Sequence, residues 1–234
     1  MTGVDRLNTK QRYPPRAASA FLLFSGALAL LFVLVPGIDL AFSELFYEVG
    51  AGFTQNGAVW ERVLYESIDW IVGAAVVGSV GVLVVGLFRP GPIGRRGRVA
   101  ALLLIVIALG PGLVVNGILK EHWGRARPRD VTEFGGDRRF TPAFLISDQC
   151  ERNCSFTAGH PSAGFALAAL GYAYVSRRRR WQVFAAATGF GLLVGLARVA
   201  AGGHFLSDVL FSGIIVIGLT ILLGNRWIGP PDEP

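Results

Sequence analysis

Six runs of mostly apolar residues, separated by short polar stretches, decide what this chain can fold into. They cover residues 18–36, 68–88, 99–119, 162–175, 181–196 and 205–223. A helix that crosses a bilayer needs about 20 such residues in succession. In lipid the backbone must satisfy its own hydrogen bonds, which leaves helices or closed barrels. The runs are continuous rather than alternating, so the expectation is an all-α polytopic membrane protein, with six transmembrane helices in a bundle. The fourth and fifth runs are shorter and rich in Ala and Gly. Alone they also admit a reading as buried helices of a soluble fold, although small residues are what close helix packing in lipid requires. The expected organisation is a cytoplasmic N-terminal segment (1–17), one membrane domain (18–224) and a polar, proline-rich cytoplasmic tail (225–234). The first run reads as a retained helix, being long for a secretory signal and lacking a clear A-x-A site after it.

Charge sets the orientation. The net charge is +6, but the arginines sit in short loops between apolar runs. That is a topology signal, unlike the basic face of a nucleic-acid binder; the partner implied is a bilayer. Arg6, Lys10, Arg12 and Arg16 precede the first run, Arg89, Arg95, Arg96 and Arg98 precede the third, and Arg177 to Arg180 precede the fifth. Both termini and these loops are therefore expected in the cytoplasm. The intervening segments, 37–67, 120–156 and 198–204, then face outside, or the periplasm where there is one. Segment 37–67 fits, with Arg62 against Asp39, Glu44, Glu48, Glu61 and Glu66. Segment 120–156 departs from the rule, with seven basic and six acidic residues. Cations that serve a site need not obey it.

Two outer segments carry further signals. Phe42, Leu45, Phe46 and Val49 recur at helical spacing, which suits either a helix in the headgroup plane or one packed on the bundle. Cys150 and Cys154 lie in an outer loop, where a disulfide is favoured; two free thiols or a partial metal site are the alternatives.

Three clusters at the ends of apolar runs carry the chemistry. Lys120 to Pro128 reads KEHWGRARP, Ser155 to His160 reads SFTAGH, and Arg198 to Asp208 reads RVAAGGHFLSD. They hold all three histidines, His122, His160 and His204; His122 has no evident role. A phosphate ester carries dense negative charge, and cleaving it needs cations on the non-bridging oxygens, an in-line nucleophile and an acid for the leaving oxygen. Lys120, Arg127 and Arg198 supply cations, which singly would read as headgroup anchors. His204 and Asp208 are four residues apart and share a helix face, so the carboxylate can hold one ring nitrogen while the other attacks phosphorus. Asp208 also suits a helix-capping role. Gly202-Gly203 permits a tight turn that brings Arg198 back towards His204. Gly159 and His160, before Pro161, sit at a helix start, where free N–H groups bind anions. His160 is placed to act as a general acid.

These residues resemble the type 2 phosphatidic acid phosphatase superfamily. Its Lys-x6-Arg-Pro motif matches at Lys120, Arg127 and Pro128. Its Pro-Ser-Gly-His motif is half matched by Thr157, Ala158, Gly159 and His160. Its Ser-Arg-x5-His-x3-Asp motif matches at Arg198, His204 and Asp208, with Ala197 for serine. The resemblance implies a phosphohistidine on His204, an orienting Asp208, a general acid in His160, and phosphate ligands in Lys120, Arg127, Gly159 and Arg198. It implies no metal and no cofactor. Ala158 lacks the hydroxyl that the family gives to phosphate, a loss of roughly 1.5–3 kcal/mol for a hydrogen bond to a charged group, which Thr157 or Ser155 would have to replace. The stretch from Arg125 to Ser155 is similar to the lipid A phosphatase branch, through GRARPR, FGG and CERNCSF. The expectation is hydrolysis of a phosphate on a membrane lipid, lipid A-type favoured, at the periplasmic face of the inner membrane. Undecaprenyl diphosphate, phosphatidylglycerol phosphate, transfer to a second lipid, and lipid binding without catalysis are the alternatives. Oligomeric state is not legible.

Overall fold

The computed structural model describes residues 15–89 and 91–229. Residues 1–14 and 230–234, which hold most of the expected N-terminal segment and the end of the proline-rich tail, lie outside the described residues. Nearly all ordered elements are helices. The first pair is α1 (Pro15–Leu34) and α2 (Gly37–Glu44), bent by 80°. Pro36 stands at the bend, and the residue before a proline is disfavoured in helical backbone. Leu22, Leu23 and Phe24 on α1 are exposed, as an apolar lipid-facing helix requires.

The amphipathic stretch is helical only as far as α2, which ends at Glu44; Leu45 and Phe46 turn the chain into a short strand. Phe42 and Phe46 pack half-buried against the core, and Asp39 and Ser43 are fully enclosed. Leu45 and Val49 remain 72% and 90% exposed. A small antiparallel hairpin follows, β1 (Tyr47–Glu48) with β2 (Gly52–Phe53).

The long helix α3 (Val59–Leu87) has 29 residues, about 43 Å at 1.5 Å per residue. That exceeds the hydrocarbon thickness, so its first turns run past the apolar stretch expected from residue 68. The next rod is α4 (Arg95–Ile107), a π-helical segment (Ala108–Leu119) and α5 (Lys120–His122). Pro111 lies inside the π-helical segment. Its ring removes a donor and crowds the carbonyl one turn back, and the widened register relieves both. Asn116 Nδ2 donates to the Pro111 carbonyl at 2.7 Å.

The remaining helices are α6 (Gly159–Ala166), which runs into a 3-10 segment (Leu167–Ala173), α7 (Arg177–Ala200) and α8 (Leu206–Trp227). Among the described residues, four helices are long and apolar enough to cross a membrane: α3, the rod Arg95–His122, α7 and α8. The bent pair of α1 and α2 makes a fifth if counted as one span. The run 162–175, expected as a full span, folds as the eight residues of α6 and the seven of its 3-10 extension. It is the most enclosed helix, with Gly164, Phe165, Ala166, Ala168, Ala169 and Tyr172 all buried. Sheathed by α3, the rod, α7 and α8, it meets little lipid, so membrane thickness does not set its length. Its small residues let the neighbours close: a methyl added at Gly191 of α7 would lie 2.4 Å from the Phe165 ring.

Gly191→Leu should therefore wedge α6 from α7, at about 1–3 kcal/mol for overpacking. Thermal unfolding in detergent should record a lower Tm. Gly189→Ala, where an added methyl meets nothing within 4 Å, should leave the Tm unchanged or raise it.

Candidate active site

Two of the three sequence clusters are laid side by side in backbone. Cys154 N donates to the Lys120 carbonyl at 3.0 Å and Ser155 N to the Arg125 carbonyl at 2.9 Å. A disulfide joins Cys150 to Cys154, with Cα atoms 5.6 Å apart, and closes the turn just ahead of this pairing. Of the three readings open for these cysteines, the disulfide is the one adopted. The third cluster joins through Ala158 N, which donates to the Asp208 carbonyl at 3.2 Å.

The turn between α7 and α8 is built on Gly202-Gly203. Gly202 has φ +66°, a left-handed conformation that favours glycine, and its added methyl would strike Phe53 at 2.4 Å. Gly203 N donates back to the Arg198 carbonyl at 2.9 Å. The turn delivers His204 into the interior, where it is 2% exposed.

His204 Nδ1 lies 2.8 Å from the Ser155 carbonyl oxygen and 3.7 Å from Asp208 Oδ2. A carbonyl can only accept, so Nδ1 carries the hydrogen and Nε2 carries the lone pair. The hydrogen bond that selects the tautomer thus comes from Ser155, and Asp208 acts on the ring through its charge. Asp208 Oδ2 also accepts from Phe205 N at 2.8 Å, half of a capping box at the start of α8, and from the Ser155 hydroxyl. Catalytic-type placement and helix capping fall on the same carboxylate.

Arg125, which the sequence reading passed over, holds that carboxylate. It is fully buried and donates to Asp208 Oδ1 at 2.6 Å, to Asp39 Oδ2 at 2.8 Å and to the Thr141 carbonyl at 2.8 Å. Its guanidinium carbon lies 4.3 Å from the Phe205 ring centroid. Asp39 also accepts from Ser207 N at 2.8 Å, which ties α2 to α8. The available signal was that segment 120–156 holds more cations than topology explains.

The other named residues gather nearby. Lys120 is buried, and its Nζ would sit 3.4 Å from a methyl built on Gly159. A side chain there would also strike Asn116 Oδ1 at 2.6 Å, so residue 159 must be glycine for the α6 start to come this close. Arg127 Nη2 donates to the Asn153 carbonyl at 2.7 Å. Arg198 Nη1 donates to Glu61 Oε1 at 2.6 Å. His160 lies against Tyr65, ring centroids 4.1 Å apart. Glu61 of α3 reads in the sequence only as an acid of segment 37–67, and Tyr65 carries no sequence signal. Ala158 is buried within the apolar core. The hydroxyl of Ser155 is committed to Asp208, and the buried Thr157 hydroxyl has no hydrogen-bond partner among the described residues.

Both imidazoles are held neutral. Burial pushes His204 down to about 4, opposed by Asp208 and assisted by Lys120 and Arg127. Burial also pushes His160 down to about 4, with Arg198 and Lys120 adding their repulsion. The cations therefore surround two uncharged rings.

Residues 99–228 match the PAP2 superfamily. The chain belongs to this superfamily. It is 34% identical over 198 residues to the lipid A 4'-phosphatase of Francisella tularensis subsp. novicida (strain U112), covering 80% of this chain and 85% of that protein. It is 31% identical over 219 residues to the lipid A 4'-phosphatase of Rhizobium leguminosarum, covering 84% and 91%. The Rhizobium etli lipid A 4'-phosphatase is likewise 31% identical over 219 residues, covering 85% and 83%. No solved structure matches. As a PAP2 member the chain is a phosphatase, in agreement with the resemblance read from its three motifs.

Arg125→Met should destabilise the fold by about 3–5 kcal/mol, because two carboxylates are left buried without their cation. Denaturant or thermal unfolding in detergent should register the loss.

Proposed function

We propose that this phosphatase removes a phosphate monoester from a membrane lipid without a metal, with the 4'-phosphate of lipid A as the favoured substrate. The observation that carries the mechanism is the His204 tautomer: Nδ1 bound to the Ser155 carbonyl at 2.8 Å leaves Nε2 as the nucleophile. The relatives' names support the lipid A headgroup.

In this reading Lys120, Arg127, Arg198 and the backbone N–H of Gly159 take the non-bridging oxygens. His204 Nε2 attacks phosphorus, and the bond from phosphorus to the sugar oxygen breaks. His160 gives its proton to that oxygen, which leaves as a hydroxyl. Asp208 stabilises the ring as it gains charge. A water then attacks the phosphohistidine and gives its proton to His160. The nitrogen–phosphorus bond breaks, and inorganic phosphate leaves. Thr157 is the hydroxyl available to replace the one missing at Ala158.

His160 is neutral before phosphate binds, so the acid's proton must arrive with the substrate. A phosphate monoester has a second pKa of about 6, and its monoanion can bring the proton in. Bound phosphate also cancels the repulsion from Arg198 and Lys120, which raises His160.

We further propose the six-helix bundle as one domain spanning residues 18–224, with both termini cytoplasmic and the site at the periplasmic face of the inner membrane. Arg96, Arg98 and Arg177 to Arg179 are exposed, at the ends of the α4–α5 rod and α7 remote from Lys120 and Arg198. This distribution favours that orientation.

Phosphate release from lipid A in detergent and EDTA should be abolished in His204→Ala, by about 10³-fold or more as expected for loss of a nucleophile. Full activity of that variant would overturn the mechanism. Undecaprenyl diphosphate, phosphatidylglycerol phosphate and phosphatidic acid in the same assay test the lipid preference. A pH series should give kcat/KM an acid limb near 4, where protonation removes the His204 lone pair, and an alkaline limb at about 6, where the substrate monoanion is lost. The alkaline limb of kcat should lie at higher pH than that of kcat/KM, because bound phosphate raises His160.

A further inference from the structure

Helix α3 carries none of the three sequence clusters, yet it reaches two of their residues. Glu61, Tyr65 and Ile68 recur at i, i+4 and i+7 and so line one helix face. Ile68 is 3% exposed and holds this face against α6, where a methyl at Gly164 would meet its Cδ1 at 3.4 Å. One turn earlier Tyr65 sits between two functional groups. Its ring centroid is 4.7 Å from the Arg198 guanidinium carbon and 4.1 Å from the His160 ring, at 32° between planes. One turn earlier again, Glu61 accepts from Arg198 Nη1 at 2.6 Å, with side chains 7% and 13% exposed. On the other side, Arg198 Nη2 lies so near Gly203 that a methyl there would approach it to 2.7 Å.

We propose that Glu61 and Tyr65 are positioning residues for phosphoryl transfer: they aim the Arg198 guanidinium and the His160 ring at one phosphate. The inference rests on the phosphatase reading of Arg198, His160 and His204. A carboxylate this close to a phosphate-binding arginine opposes the binding of any anion, so it does not serve ground-state affinity. Its effect is to remove the rotational freedom of a long side chain before the substrate arrives, which lowers the barrier rather than the dissociation constant. The Tyr65 ring fixes the guanidinium plane from one side and the imidazole plane from the other. Its hydroxyl is not needed for either contact.

The test is phosphate release by the full chain in detergent micelles, with lipid A as substrate, measuring kcat and KM separately. Tyr65→Phe keeps the ring and should stay within about twofold of the unmodified protein, whereas Tyr65→Leu should lower kcat about tenfold or more with little change in KM, the signature of an interaction made in the transition state. Glu61→Gln removes the charge but keeps the shape; kcat should fall about fivefold or more while KM stays level or drops. Unchanged kcat in Tyr65→Leu and Glu61→Gln, or a raised KM at constant kcat, would overturn the proposal. If Tyr65→Leu does not fold, the isosteric Glu61→Gln decides the question alone. His204→Ala run alongside separates the two levels: activity in that variant defeats the phosphatase reading itself, whatever α3 does.

Discussion

The Arg125 guanidinium is the interaction on which the rest of the site depends. One fully buried cation meets Asp39 from α2, Asp208 from α8 and the Thr141 carbonyl from the intervening loop. Burying a charge costs several kcal/mol unless geometry and hydrogen bonds are nearly complete. Here the acceptors are spread over three segments, and the face is covered by Phe205 and Phe140. Such a charge tolerates only the arrangement that satisfies it. The bent α1–α2 pair is held at the site by Asp39, besides the packing of Phe32 and Phe42 on the other helices. Asp208 in turn is held where its charge bears on His204 and its Oδ2 caps α8.

The helix packing around this cluster follows from a different constraint. Lipid supplies no hydrophobic force between apolar helices, so they associate by close packing. That is why Ala and Gly concentrate in α6 and α7, and why α6 can be short: it is surrounded by protein rather than by hydrocarbon. A short central helix has a functional consequence. Its N-terminus, Gly159 and His160, comes level with Lys120 and Arg198 at the ends of their own helices, so the cations and the free N–H groups converge at one end of the bundle.

The sequence carries the local parts of this design and hides the distant ones. The spacing of Lys120 and Arg127, of Arg198 and His204, and of His204 and Asp208 is legible because each pair lies within a turn or a short loop. The partner that selects the His204 tautomer lies 49 residues away, at Ser155, and is a backbone atom that no side-chain pattern can report. Arg125 finds Asp39 across 86 residues, and Arg198 finds Glu61 across 137. In the sequence, Asp39 and Glu61 are two acids in an outer segment, and the topology rule absorbs them without remainder. Arg125 leaves a remainder, since its segment has more cations than the rule allows. The enclosure of α6 is hidden in the sequence for a related reason. Hydropathy measures affinity for lipid, and an enclosed helix has the same composition as a spanning one.

Lys120, Arg127 and Arg198 stand around two neutral imidazoles, His204 buried and His160 half-buried. In the proposed mechanism neutrality is the working state of His204, since only the uncharged ring can attack phosphorus. For His160 it is the resting state, and the same cations that would bind phosphate are what keep its proton off. In that mechanism an incoming phosphate would reverse this field at His160, while Asp208, held by Arg125, is already in place for the charge that His204 would gain. The two histidines thus share one low starting value and diverge only when the substrate is bound, because the phosphate cancels the cations facing one ring and the buried carboxylate serves the other.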